Sequence, residues 1–196
     1  MNNSAVDQGE NFGKWKDNTS KFMYDTSLRT ILPAVRLAGH VGDFGGGNGL
    51  LEQHLRKLDR CSVTRVTAVD IDEAKKPDVV ADITTHARWY DVVWCRYVMH
   101  YLTDRQVMQM IDNANTDRVI VVQFTNECLR TKYGNSDNET KHFRTARQLE
   151  SLLPAHGTTK LLSTSYLVCK DFYKNRLGID HAIPHTEQLN VYEIIK

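Results

Sequence analysis

The chain has 196 residues, enough for one domain with a single core, and its 41% hydrophobic and 25% charged content is ordinary for a soluble globular protein. A formal net charge of +1 with no dominant run of one sign argues against a strong nonspecific grip on nucleic acid. No apolar stretch approaches the ~18 residues of a membrane span, so no membrane partner is expected.

Cys61, Cys95, Cys128 and Cys169 are widely spaced and form no Cys-x-x-Cys. They read as reduced thiols of a cytoplasmic compartment, not as a disulfide framework or a zinc site. Residues 1–11 lack a basic region followed by an apolar one and read as a mobile tail. Between residues 12 and 37, Leu28, Ile31, Leu32 and Val35 follow helical spacing, and Pro33 kinks or ends that helix.

His40-Val41-Gly42 can end a first strand. Asp43-Phe44-Gly45-Gly46-Gly47-Asn48-Gly49 follows, and Leu51, Leu55 and Leu58 then recur at helical spacing. A glycine-rich turn between strand and helix lets a ligand approach backbone amides closely. It does not fit a dinucleotide fingerprint. That pattern needs Gly or Ala at position 50, where the chain has Leu50, and it wants no carboxylate beside its pyrophosphate, where the chain has Asp43.

Residues 63–71 read as a second strand ending at Asp70. Residues 78–83 form a short third run ending near Asp82. Only eleven residues separate those acids, Pro77 among them, so the helix that normally crosses between such strands is expected to be very short or missing. Tyr90–Leu102 reads as a fourth strand and the turn after it, and Arg118–Phe124 as a fifth strand. Thr103-Asp104-Arg105-Gln106 and Thr145-Ala146-Arg147-Gln148 have capping-box form and start crossover helices. Met108 and Met110 read as core filler. Residues 125–142 turn polar and lose periodicity, as a substrate-side loop or a plain solvent loop would. Leu161–Val168 and Asn190–Ile195 are strand-like. His181 and His185 have the spacing of a helical metal pair, but Pro184 lies between them and no acid follows His181, so no metal is expected.

Over roughly residues 35–160, the Asp-x-Gly-x-Gly-x-Gly run and the acid-ended strands after it resemble the class I S-adenosylmethionine-dependent methyltransferases. The resemblance implies an α/β, doubly wound, Rossmann-like sheet of about seven strands, mostly parallel with an antiparallel C-terminal edge. It implies N-terminal cap helices at residues 12–37 and a single methyltransferase domain over residues 1–196. S-adenosyl-L-methionine is the implied cofactor, and its ammonium and sulfonium suit Asp43 beside Gly45, Gly47 and Gly49. Asp70 would accept both ribose hydroxyls, with Ile71 next to it, and Asp82 the adenine amino group, with Ile83 packing on the ring. Either acid can instead be a solvated strand-end carboxylate. Cys95, discounted as a nucleophile because it sits in an apolar strand, and Tyr24 complete the implied cofactor set. Tyr24 and Arg29 can reach the methionine carboxylate, or their helix simply packs on the sheet edge.

The residues after the fourth strand would face the transferred methyl. His100, Tyr101 and Arg96 are the catalytic candidates, with Tyr97 beside them. His100 can act as a base near neutral pH or merely orient the turn. Arg96 can pair with an acidic substrate or with a surface carboxylate. Trp94-Cys95-Arg96-Tyr97 lacks the Asn/Asp-Pro-Pro-aromatic motif of enzymes that methylate DNA amino groups, and the chain has no Pro-Cys nucleophile. A small-molecule acceptor is favoured, since Arg130, Lys132, Lys141, Arg144 and Arg147 are offset by Glu127, Asp137, Glu139 and Glu150. RNA-directed methyl transfer is the alternative, because RNA cap guanine methyltransferases often carry a His-Tyr pair like His100-Tyr101. A nonenzymatic cofactor-binding scaffold is the third reading.

Overall fold

The computed structural model describes residues 26–58, 62–125, 142, 144–169 and 185–196. Seven strands lie within them: β1 (Gly39–Phe44), β2 (Val63–Asp70), β3 (Val79–Val80), β4 (Val92–Arg96), β5 (Arg118–Phe124), β6 (Thr158–Cys169) and β7 (His185–Ile195). They form one sheet in the order β3-β2-β1-β4-β5-β7-β6. β1 to β5 run parallel, and β7 inserts antiparallel between β5 and β6. This is the α/β, mostly parallel sheet with an antiparallel C-terminal edge that the resemblance implies.

Helices cover both faces. On one, the helical residues 26–31 and the helix Leu50–Lys57 bury Leu28, Ile31, Leu32, Leu51 and Leu55 against Val41, Trp94, Ile120 and Val122. On the other, the helices Asp104–Asn113 and Ala146–Leu152 bury Val107, Met110, Ile111 and Leu149 against Val93, Val119 and Val121. The first helix gives way to a 3-10 turn, Leu32–Ala34, with Pro33 near its start. Both expected capping boxes form: the Thr103 and Thr145 hydroxyls accept from the N–H groups of Gln106 and Gln148, whose side chains accept from the Thr103 and Thr145 N–H in return. Met110 is core filler as expected, whereas Met108 lies on the exposed face of its helix. No described helix is long and apolar enough to cross a membrane.

The connection from β2 to β3 contains one 3-10 turn, Glu73–Lys75, in place of a crossover helix. On the face covered by the helices Asp104–Asn113 and Ala146–Leu152, aromatic side chains pack against β1. The Tyr90 ring lies flat on β1, with ring atoms 2.8–2.9 Å from where a β-carbon on Gly42 would stand. His40, Phe44 and His86 surround that ring with centroids at 4.9, 5.9 and 5.9 Å.

Several boundaries differ from the sequence reading. β3 is only two residues long, and the acids on either side of it bond outside the strand. Asp78 Oδ2 accepts the Ala68 N–H at 2.8 Å, and Asp82 Oδ1 accepts from the Thr84 N–H and hydroxyl at 2.9 and 2.8 Å. β1 runs on to Phe44, so Asp43 lies within the strand. β6 and β7 are longer than their apolar runs because they pair with each other along their whole length.

A glycine turn and two strand-end carboxylates

The candidate site forms at the carboxyl ends of β1, β2 and β4, where open parallel sheets present ligands to helix starts. Gly45, Gly47 and Gly49 all adopt positive φ, at 72°, 54° and 71°. The Gly45 N–H donates to Val69 O at 2.7 Å, tying the turn to the end of β2. A β-carbon on Gly46 would stand 2.7 Å from the Asp43 carboxyl group, so the turn wraps directly over that acid. Gly49 then opens the helix Leu50–Lys57 with no side-chain cap, leaving the positive end of the helix turned to the site.

Asp43 is 5% exposed. Burial pushes its carboxyl up to about 7, against the pull of the Arg96 guanidinium and with a further push from Asp70. A group so poised exchanges its proton near neutrality and takes a cationic partner readily. Asp70, on the neighbouring parallel strand, accepts the Gly47 N–H through Oδ2 at 3.1 Å and the Asp72 N–H through Oδ1 at 2.9 Å. Lys75 Nζ lies 3.1 Å from both oxygens. Ile71 follows, partly buried. The structure therefore brings Asp43, the three glycines and Asp70 together around one turn.

Asp82 and Ile83 sit after β3, with Ile83 buried and Asp82 bonded within its own turn. Cys95 is fully buried. Its Sγ faces Met110 Sδ at 3.7 Å, and burial followed by the nearby Asp43 charge pushes the thiol up to about 12. The thiol is inert and points into the core, so only the Cys95 backbone can serve the site. Tyr24, the tail 1–11, the start of the 12–37 segment and residues 126–141 lie outside the described residues.

The acceptor-side candidates share one turn. Arg96 donates from a terminal guanidinium nitrogen to Ser27 Oγ at 3.1 Å and lies 5.0 Å over the Tyr97 ring. Tyr97 takes φ 57°, a left-handed conformation costly for a bulky residue. Its N–H bond to Val122 O at 3.0 Å and its ring, stacked on Phe124 at 4.3 Å, hold it there. The bend carries Val98 against Gly45. A short 3-10 turn, Met99–Tyr101, then buries His100, whose Nδ1 lies 3.2 Å from Gln123 Nε2 and whose ring sits 4.0 Å from that of Tyr101.

Three contributors escaped the sequence reading. Arg144, counted there as a surface charge, is 5% exposed and clamps this turn, donating to Met99 O at 2.7 Å, Leu102 O at 2.8 Å, His142 O at 3.0 Å and Asp104 Oδ1 at 2.7 Å. Gln123 supports His100 from β5. Lys75 pairs with Asp70. Only Lys75 carried a local signal, a cation five residues after an acid across a connection too short for a helix.

No protein-family model matches the chain, and no curated relative does. Solved structures do match. A S-adenosylmethionine-dependent methyltransferase from Archaeoglobus fulgidus aligns with TM-score 0.64 at 13% identity, covering 92% of this chain and 96% of its own. A Thermotoga maritima protein described as a possible histamine N-methyltransferase gives 0.62 at 14%, covering 95% and 94%. Magnesium protoporphyrin IX methyltransferase from Synechocystis, solved with S-adenosylmethionine bound, gives 0.61 at 14%, covering 99% and 100%. The chain therefore has the class I S-adenosylmethionine-dependent methyltransferase fold.

Proposed function

We propose that this protein binds S-adenosyl-L-methionine and transfers its methyl group to a small-molecule acceptor by in-line displacement, acting as a single domain. The observation that carries this reading is Asp43, a buried carboxyl at the end of β1 held near neutrality beneath a glycine turn and beside Asp70. A ligand with a cationic ammonium and sulfonium supplies the countercharge that lets the buried Asp43 ionise. The uncapped start of the helix Leu50–Lys57 suits the same ligand's carboxylate. Asp70 is assigned the ribose hydroxyls, with Ile71 beside them. Asp82 and Ile83 are assigned the adenine, and Tyr24 the methionine end.

The sulfonium leaves as a neutral thioether, so positioning supplies most of the rate. Arg96, His100 and Tyr101 are proposed on the acceptor side. The Gln123 contact to His100 Nδ1 favours a turn-orienting role for that imidazole over a base exposed to substrate. Residues 125–142, which follow β5 at its carboxyl end, are proposed to face the acceptor. Balanced charge supports a small acceptor, and so does the burial of Arg144, which withdraws one cation from any basic surface. The buried, reduced Cys95 is compatible with a cytoplasmic setting.

Titration calorimetry with S-adenosylmethionine and its demethylated product tests the cofactor. No heat with either, together with binding of a nicotinamide dinucleotide, sinks the reading. Incorporation of tritiated methyl into a small-molecule extract and into RNA tests the acceptor. Saturable labelling of RNA, with RNA affinity falling steeply as salt rises, transfers the assignment to RNA. Cofactor binding without labelling of either pool favours the scaffold.

A further inference from the structure

Every acceptor position of the Asp70 carboxylate is taken. A carboxylate offers about four lone-pair sites. Oδ1 receives the Asp72 N–H at 2.9 Å and Lys75 Nζ at 3.1 Å, and Oδ2 receives the Gly47 N–H and the same Nζ, each at 3.1 Å. The two backbone bonds belong to the glycine turn and to the chain leaving β2, so they are fixed by the fold. The two ammonium contacts come from the end of a flexible four-carbon stem. A ribose diol reaching Asp70 must use the positions that Lys75 holds.

The stem also lies across the turn. Lys75 Cδ is 3.3 Å from where a β-carbon on Gly47 would stand, a point itself 3.9 Å from Asp70 Oδ2. It reaches there because β2 and β3 are joined through a single 3-10 turn, which folds residue 75 back beside the end of β2.

We propose that Lys75 is a displaceable internal cation that occupies the ribose position in the ligand-free protein and thereby sets cofactor affinity. The proposal rests on the assignment of Asp70 to the ribose. A second carboxylate is at hand to receive the displaced ammonium. Asp72 Oδ2 already lies 3.9 Å from Nζ, while Asp72 Oδ1 is engaged with the Ala74 N–H at 3.0 Å. Rotation about side-chain torsions moves Nζ from Asp70 to Asp72 without unwinding the turn. The ammonium therefore keeps a partner in both states, and the cofactor works only against the difference between the two pairings. Apparent affinity is lowered by the fraction of molecules in which Lys75 is on Asp70.

The test is titration calorimetry of the full chain with the demethylated product. It compares wild type, Lys75→Met, Asp72→Asn, the double variant and Asp70→Ala. Lys75→Met is expected to tighten binding about five- to twentyfold by removing the competitor. Asp72→Asn keeps the bond to Ala74 but weakens the second pairing, and is expected to loosen binding about threefold in wild type and to have no effect on Lys75→Met. That non-additivity is a signature no merely structural role for Asp72 produces. Should Lys75→Met fold poorly, Lys75→Ala serves in its place and is expected to tighten binding in the same range.

Lys75→Met binding as wild type or more weakly, while Asp70→Ala weakens binding, overturns the competitor role and leaves the cofactor reading standing. Lys75→Ala binding no more tightly than wild type also overturns it. Wild-type affinity in Asp70→Ala, or no binding by any form including Lys75→Met, removes the ribose assignment and the proposal with it.

Discussion

Val98 Cγ2 stands 2.2 Å from the point a β-carbon on Gly45 would occupy, so the turn after β4 is packed directly onto the backbone of the turn after β1. The two loops are one structure. The left-handed Tyr97 bends the chain to deliver Val98, and the missing β-carbon of Gly45 leaves the room for it.

Gly45→Ala is therefore expected to fail twice, by left-handed strain and by steric overlap, at a combined cost of about 2–4 kcal/mol. Gly49→Ala shares the positive φ but meets nothing within 4 Å, so it is expected to lose only the strain, about 1–2 kcal/mol. Urea denaturation of the two variants separates overlap from strain. Equal losses would show that Val98 yields freely.

Asp43 gives a pH dependence with a definite sign. Its carboxyl is raised in the folded state, so its contribution to stability is present below the ordinary carboxylate range and is lost as pH rises through about 7. Cofactor binding runs the other way. A cationic ligand favours the ionised form, so below about 7 a proton must leave on binding, and affinity is expected to fall up to about tenfold per pH unit as the pH drops. Calorimetry in buffers of different ionisation heat reads that proton directly. Asp43→Asn is expected to bind weakly with a flat profile between pH 5.5 and 8; a flat wild-type profile refutes the coupling.

Asp70→Ala is expected to weaken cofactor binding by about 1.5–3 kcal/mol, the worth of hydrogen bonds to a charged acceptor. It also leaves the Gly47 and Asp72 N–H groups without their carboxylate. The folded fraction must therefore be measured alongside, by circular dichroism. A folded Asp70→Ala protein that binds like wild type places the ribose elsewhere.

Arg144→Met is expected to cost about 2–4 kcal/mol, because it strands the buried carbonyls of Met99 and Leu102. Asp104 is expected to matter far less. Its side chain is 72% exposed, and Asp104→Ala should cost no more than about 1 kcal/mol. Chemical denaturation of both checks the ranking. A larger loss for Asp104→Ala would mean that the ion pair, not the carbonyl clamp, holds the turn.

Much of this architecture is readable in local sequence because its causes are local. The two capping boxes need only a Thr and a Gln three residues apart. Leu28, Ile31, Leu32 and Val35 announce a buried face by spacing alone, and β5 spans the same residues in the sequence and in the fold. The glycine turn is legible through the backbone conformations that only glycine adopts readily. The shortened link between Asp70 and Asp82 is legible through plain length.

The rest was decided by groups far apart in the chain. Nothing near Arg144 marks it as the clamp on carbonyls more than forty residues earlier. Nothing near Tyr90 says that its ring will lie on Gly42. Nothing near Asp78 says that its carboxylate will take the Ala68 N–H of the neighbouring strand. The sequence by itself determined the element types, their order and the two acids beside the turn, since propensity, periodicity and capping act within a few residues. Only the tertiary structure decided that Asp43 would be buried enough to titrate near neutrality and that Lys75 would sit on Asp70, because desolvation and charge pairing depend on what the folded chain packs around a group.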